Sequence, residues 1–344
     1  MTTAAPHDPS RRHWLRRAVW AGAGAIAVLE GPAVTDLASA AQAYAFGPKV
    51  PDVKPAQTAE HVWSIVAHDA FPTPENQGLF SNTHFIITPK GVVVFDTGSS
   101  LQIGQMCLRM LRTITDKPVI AIFNSHFHGD HWLGNQAYVE AFGSSVPIYA
   151  LPGTRKVISG IEGDVWRENM LKWTNNSSLG TRVVAPTLEV RNGDVFEFGS
   201  LTLKAHHYGK AHTPDDLCLE IVQDKAVCAG DIMMNHRIAN MEDGSFLGTL
   251  AYYDKLEQVT GAKMWLPGHG AASADILAWN REIFQGIYDG ALKAAREMAG
   301  PTVAKEYVLA DPRVAKSATT TAGFNKNIGK FASLAYLEAE QQTS

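Results

Sequence analysis

The chain has 344 residues, 45% of them hydrophobic, and a formal charge of -4. That length and apolar content suit one substantial core with appendages better than several small domains. The weakly acidic balance offers nucleic acid or anionic lipid no electrostatic attraction, which leaves a small molecule as the expected partner.

Residues 1–43 read as an export signal. Ser10-Arg11-Arg12-His13-Trp14-Leu15-Arg16 precedes the apolar run 18–29, and the small residues Ala38-Ser39-Ala40 and Ala41-Gln42-Ala43 follow it. The paired arginines resemble a twin-arginine signal. Glu30, Gly31 and Pro32 end the run before it could span a bilayer. The expectation is cleavage near Ala40 or Ala43, a periplasmic product and no stable membrane insertion.

Residues 44–59, with Pro48, Pro51 and Pro55, read as an extended leader. Strands are expected at 61–67, 83–88 and 92–96, the last two joined by a turn at Lys90-Gly91, and a helix at 101–115. An apolar, β-branched strand at 119–124 delivers the chain to Ser125-His126-Phe127-His128-Gly129-Asp130-His131. After a helix-rich stretch at 153–176, strands follow at 188–190, 195–198, 201–205, 217–222 and 226–229. A helix at 246–260 and a short strand at 264–266 lead to Pro267-Gly268-His269-Gly270. The stretches 275–299 and 325–338 are amphipathic helices, read as outer-layer packing and an appended helical tail. Two similar halves of intermixed strands and helices suggest two sheets packed face to face with helices outside. Cys107, Cys218 and Cys228 are too few for a disulfide framework and too scattered for a thiolate metal site. A hairpin turning at Asp224-Lys225 would set Cys228 opposite Ile221, so no bridge to Cys218 is expected.

His126, His128, Asp130 and His131 form a His-x-His-x-Asp-His cluster. A loop leaving a strand aims alternate side chains at two points a few ångströms apart, and imidazole nitrogens with a carboxylate suit zinc. Packing four such groups together without an ion would be costly. Further ligands are available just after expected strands: His212 in Lys210-Ala211-His212-Thr213, Asp231 in Cys228-Ala229-Gly230-Asp231, and His269.

In this order, His-x-His-x-Asp-His, His-Thr, Gly-Asp and Gly-His resemble the metallo-β-lactamase superfamily over residues 60–272. The resemblance implies an α/β fold, a four-layer αβ/βα sandwich at 60–274 with a helical C-terminal extension at 275–344. It implies two zinc ions per chain, with iron or manganese not excluded. His126, His128 and His212 would hold the first, Asp130, His131 and His269 the second, and Asp231 would bridge them. Asp96, ending Val93-Val94-Phe95-Asp96, would orient ligands without coordinating. The implied reaction is attack by a hydroxide shared between the metals on an ester, thioester, lactone or similar carbonyl, with Asp130 as the catalytic carboxylate. His128 stands where oxygen-reducing di-iron relatives usually carry Glu, and lactam-cleaving members generally lack the bridging aspartate. Cleavage of lactam antibiotics, persulfide oxidation at a single iron and a non-catalytic accessory role are therefore the alternatives.

The stretch from Asn124-Ser125-His126 through Leu133-Gly134-Asn135, behind an export signal, also resembles the exported zinc metallohydrolases that accompany quinoprotein dehydrogenase and sulfur-oxidation systems. A functional link to such a system is what this implies. Trp132, Asn135, Tyr208 and Lys210 flank the ligands and are candidates for lining a substrate pocket. The loop 232–245, with Asn235, His236 and Arg237, would form one wall, and Arg237 could pair with a substrate carboxylate.

Overall fold

A computed structural model describes residues 46–69 and 71–343, so the export signal expected at 1–43 lies outside the described residues. Residues from 47 onward form one unit. The stretch expected to be a bare leader is tied to that unit. Ala56–Gln57 (β1) pairs antiparallel with Val62–Ile65 (β2), Val50 is buried, and Arg109 holds both Asp52, at 2.7 Å, and the Val50 carbonyl.

Strands Thr83–Thr88 (β3) and Gly91–Phe95 (β4) form a hairpin with Thr88 opposite Gly91. Helix Leu101–Leu111 (α1) begins where the Ser100 hydroxyl accepts a hydrogen bond from Ile103 N. Then come Val119–Phe123 (β5), a tight turn at Gly129–His131, Asn135–Phe142 (α2), Ile148–Ala150 (β6), Pro152–Ile158 (α3), Ile161–Trp173 (α4) and Leu188–Glu189 (β7). The second half contains Val195–Phe198 (β8), Leu201–His206 (β9), Cys218–Ile221 (β10), Ala226–Met234 (β11), Phe246–Thr260 (α5) and Met264–His269 (β12). Helices Ile276–Arg296 (α6), Gly300–Ala310 (α7), Pro312–Ser317 (α8) and Phe324–Thr343 (α9) follow.

The strands make a seven-stranded sheet in the order β1-β2-β3-β4-β5-β6-β7 and a five-stranded sheet in the order β12-β11-β10-β9-β8. Three apolar clusters define the layers. Val93, Phe95 and Phe123 of the first sheet meet Leu203, Leu219 and Cys228 of the second. The other face of the first sheet, with Val94 and Ile122, packs on Met106 of α1 and Tyr138 of α2. The other face of the second, with Val227 and Met233, packs on Tyr253 of α5 and on Phe284 and Ile287 of α6. Helix, sheet, sheet, helix is the four-layer sandwich expected. Every residue of β4 and β11 is buried, which is why β4 and the first part of β11, 226–229, read as continuous apolar runs rather than alternating ones.

Several details differ from expectation. The connection between β10 and β11 uses four residues, with Lys225 at φ 49, so Cys228 lies opposite Leu219 rather than Ile221. All three cysteines are free and buried. Phe331, Ala332 and Ala335 of α9 belong to the same cluster as Met233 of β11, so the C-terminal helices form part of the outer layer. Among the described residues no helix is long and apolar enough to cross a membrane.

Candidate metal centre

Two pairs of neighbouring parallel strands, β4 with β5 and β11 with β12, end at one edge of the sandwich and bring four chain segments together. Asp96, at φ 58, directly follows β4, and β5 leads into the His126 to His131 turn. β11 runs five residues past its expected end at 229, through register irregularities between Cys228 and Met234 that swing Asp231 toward that turn. His269 is the last residue of β12, and His212 comes from the loop between β9 and β10. Two glycines permit the approach. A Cβ on Gly230 would lie 2.8 Å from Ser125 Cβ, and one on Gly268 would lie 2.0 Å from Asp231 Oδ1.

The seven side chains expected to meet do so, all buried. They fall into two groups, His126, His128, His212 and Asp231, and Asp130, His131 and His269, with the donor atoms of each group within 4.8 Å of one another. Asp231 faces both. Its Oδ2 lies 3.5 Å from His212 Nε2 and 3.2 Å from His269 Nε2, while Oδ1 lies 3.3 Å from His131 Nε2. Asp130 Oδ2 is 3.2 Å from His131 Nε2 and 3.4 Å from His269 Nε2.

Outer partners set which imidazole nitrogen carries a proton. Asp96 Oδ2 accepts from His131 Nδ1 and from the Ser125 hydroxyl, each at 2.8 Å, and that hydroxyl oxygen in turn accepts from His126 Nδ1 at 2.9 Å. The Phe80 carbonyl accepts from His269 Nδ1, and Asp243 Oδ2 from His128 Nε2 at 3.2 Å. The inner nitrogens are therefore the lone-pair atoms: Nε2 of His126, His131 and His269, and Nδ1 of His128, 3.0 Å from His212 Nε2. Burial, reinforced by the neighbouring imidazoles, drives the His126 pKa well below the usual value. Burial likewise takes His212 down to about 3. Burial alone would raise Asp231, but the His269 and His131 rings outweigh it and hold the carboxyl well below its ordinary range. Those rings are themselves pushed up against burial by the neighbouring carboxylates, and a bound cation would take over their positive charge. Asp130 is held down in the same way, against burial, chiefly by His131.

His126 Nε2, His131 Nε2 and Asp231 Oδ1 are buried with no hydrogen-bond partner among the described residues. Each such orphan costs about 1–3 kcal/mol, so three together at one point are explained by a bound cation. Borderline nitrogen donors with ionised carboxylates are the donor set a divalent transition metal takes.

The pocket candidates are redistributed. Trp132 is wholly buried, its indole N–H donating to the Phe127 carbonyl and its ring packed with Phe80, Ile158 and Met170. Asn135 is wholly buried too, bonded to Thr97, Asn124 and the Val184 carbonyl. Neither lines a pocket, because the Gly129–His131 turn rotates both into the packing beneath the site. Tyr208 is half-buried and directs its hydroxyl to His206 Nδ1 at 2.8 Å, away from the seven ligating side chains. Lys210 is exposed, near enough to Asp243 to help lower its carboxyl. Arg237 does reach the site, 3.0 Å from His269 Nδ1. Asp243 was not singled out from the sequence, nor was Trp166, whose ring lies 5.0 Å from that of His128. A lone carboxylate in a loop and a tryptophan in a helix carry no spacing signature.

The family profile described as the Metallo-beta-lactamase superfamily matches residues 76–308, more than half of the chain. The chain belongs to the metallo-beta-lactamase superfamily. Membership and the two His/Asp groups together imply a divalent metal at this site. Among curated relatives, the chain is 23% identical over 210 residues to an atrochrysone carboxyl ACP thioesterase of Aspergillus terreus, covering 59% of this chain and 55% of that protein. It is 24% identical over 268 residues to a linear primary-alkylsulfatase of a Pseudomonas species, covering 67% of this chain and 50% of that protein. It thus spans about half the length of these relatives. Among solved structures, a metallo-beta-lactamase from Pontibacter korlensis superposes with TM-score 0.54 at 20% identity, covering 68% of this chain and 99% of that one. An inverting sec-alkylsulfatase from Pseudomonas gives 0.61 at 15% identity, covering 83% and 50%. These superpositions speak to the fold alone.

Proposed function

We propose that the chain is a hydrolase that holds two divalent cations, zinc by donor chemistry, and cleaves an ester, thioester, lactone or related acyl bond. The observation that carries this reading is the division of seven buried donors into two groups that share Asp231. His126, His128 and His212 would hold one cation, and Asp130, His131 and His269 the other. Such a pair supplies Lewis acidity and water made acidic enough to ionise near neutral pH.

The chain's own groups do the rest. Asp130, held ionised between His131 and His269, orients the attacking water through its carboxylate. Ser81 fixes the Asp130 backbone by donating to its carbonyl at 2.6 Å. Asp96 and Asp243 hold His131 and His128 from outside, and so keep the lone pairs pointed inward. A complete second group argues for hydrolysis over persulfide oxidation at one iron. Sulfate-ester cleavage is the second reading, favoured by the match to an alkylsulfatase over 67% of the chain. The signal read at 1–43 supports a periplasmic location.

A panel of thioesters, carboxyl esters, lactones, lactams and sulfate esters tests the reaction class in steady state. Turnover of an acyl ester or thioester is expected, and Asp130→Asn should lower it by about 100-fold or more. Undiminished activity in that variant contradicts the assignment.

A further inference from the structure

Asp243, the outer partner of His128, stands between two anchors that both come from the last helix of the chain. On one side, Glu242 pairs with Lys330 of α9 at 2.7 Å, and the same ammonium donates to the Asn240 side-chain oxygen at 3.0 Å. Both members of that ion pair are exposed, so it holds the loop only weakly. On the other side, the Glu338 carboxylate of α9 takes three donors at the start of α5. Its Oε1 accepts from the Ser245 hydroxyl at 2.5 Å and from Leu247 N at 3.2 Å, and its Oε2 accepts from Phe246 N at 2.6 Å. The Ser245 hydroxyl oxygen, its proton given to Glu338, accepts from Gly248 N at 2.8 Å. The first amides of a helix have no partner inside it, so a carboxylate placed there both satisfies them and meets the positive end of the helix dipole.

This capped junction touches the first donor group on two sides. Asp243 Oδ2 accepts from His128 Nε2 at 3.2 Å, and Ser245 N donates to the carbonyl of Ala211, the neighbour of His212, at 2.8 Å. The fit to the His212 segment is close. A Cβ on Gly244 would lie 3.0 Å from the His212 carbonyl oxygen, and one on Gly248 would lie 1.9 Å from that of Lys210. The second donor group is held from elsewhere: Asp96 bonds His131, Ser81 bonds the Asp130 carbonyl, and the Phe80 carbonyl bonds His269. A side chain 93 positions away in sequence from Ser245 is therefore built into the support of one group and not of the other.

Resting on the two-cation reading, we infer that Glu338 is a positioning residue for the cation held by His126, His128 and His212, acting through the start of α5 on Asp243 and on the His212 segment. Zinc binding to the full chain, resolved into its two steps by competition with a chelator, tests this. In Glu338→Ala one step should weaken by about tenfold, while the other stays as in wild type. Glu338→Gln keeps an accepting oxygen, so it should weaken the same step severalfold, and it carries the comparison if the Ala variant does not fold. The affected step should be the one that Asp243→Ala weakens, and the two substitutions combined should cost less than the product of their separate losses, since both act on His128. No change in either step, an equal loss in both, or a loss confined to the step that Asp243→Ala spares overturns the role of Glu338. A wild type with fewer than two binding steps overturns the two-cation reading and this inference with it, a result distinct from unchanged variants of a two-step wild type.

Discussion

At the scale of single residues, the site depends on carboxylates that touch only the outer nitrogens of its histidines. Asp243 bonds His128 Nε2 from a half-exposed position, and the hydrogen bond to that ring holds its carboxyl below the ordinary value. Replacing it with Ala should weaken metal binding by about 10- to 100-fold, read by competition with a chelator, while leaving the fold intact. Unchanged affinity would show that the ring is held by packing alone. Asp96 was expected from the family resemblance, which matches the strand end Val93-Val94-Phe95-Asp96. Asp243 was not, since its partner lies 115 positions away. Trp132 and Asn135 misled for the converse reason: neighbours in sequence along a tight turn point to opposite sides, and these two point into packing.

At the scale of elements, expectation and structure agree where the apolar pattern is long and part where backbone geometry is special. β3, β8 and α5 occupy the expected spans, because their side-chain patterns end at clear turns or caps. β11 outruns its expected end because Gly230-Asp231 reads as a loop, whereas Gly230, at φ 53, lies in an irregular stretch of the strand. α2, α7 and α8 went unread. α2 and α8 are short, and α7 is stabilised mainly by packing on α6. Gly268 shows how tightly β12 meets β11. Gly268→Ala should push the Asp231 carboxylate from between the two groups and lower bound metal below wild type, measured by elemental analysis at retained far-ultraviolet circular dichroism. Full metal content in that variant would mean that the strands separate without cost.

At the scale of the whole molecule, the C-terminal helices complete the layer over the second sheet and clamp the loop that carries Arg237 and Asp243. Glu338 of α9 accepts from the Ser245 hydroxyl and from Phe246 N at the start of α5. Lys330 pairs with Glu242 at 2.7 Å in the same loop. The sandwich and its ligand order were legible from strand ends and motif spacing, but this clamp was not, because tertiary contacts of amphipathic helices leave no local signature. Removal of residues 300–344 would strip Val308, Val314, Ile328 and Phe331 from the shared cluster, each side chain worth about 1.5–3 kcal/mol of burial, more than a marginally stable domain can lose. The shortened chain should be insoluble or lack a cooperative thermal transition, and a soluble, cooperatively melting product would show that these helices are dispensable. The central claim, two cations held by seven convergent side chains, is tested most directly by elemental analysis of the dialysed full chain. The proposed two-cation reading predicts about two divalent ions per protein, falling to one or fewer in Asp231→Ala. A wild-type value near zero or one, or two ions retained by the variant, would contradict it.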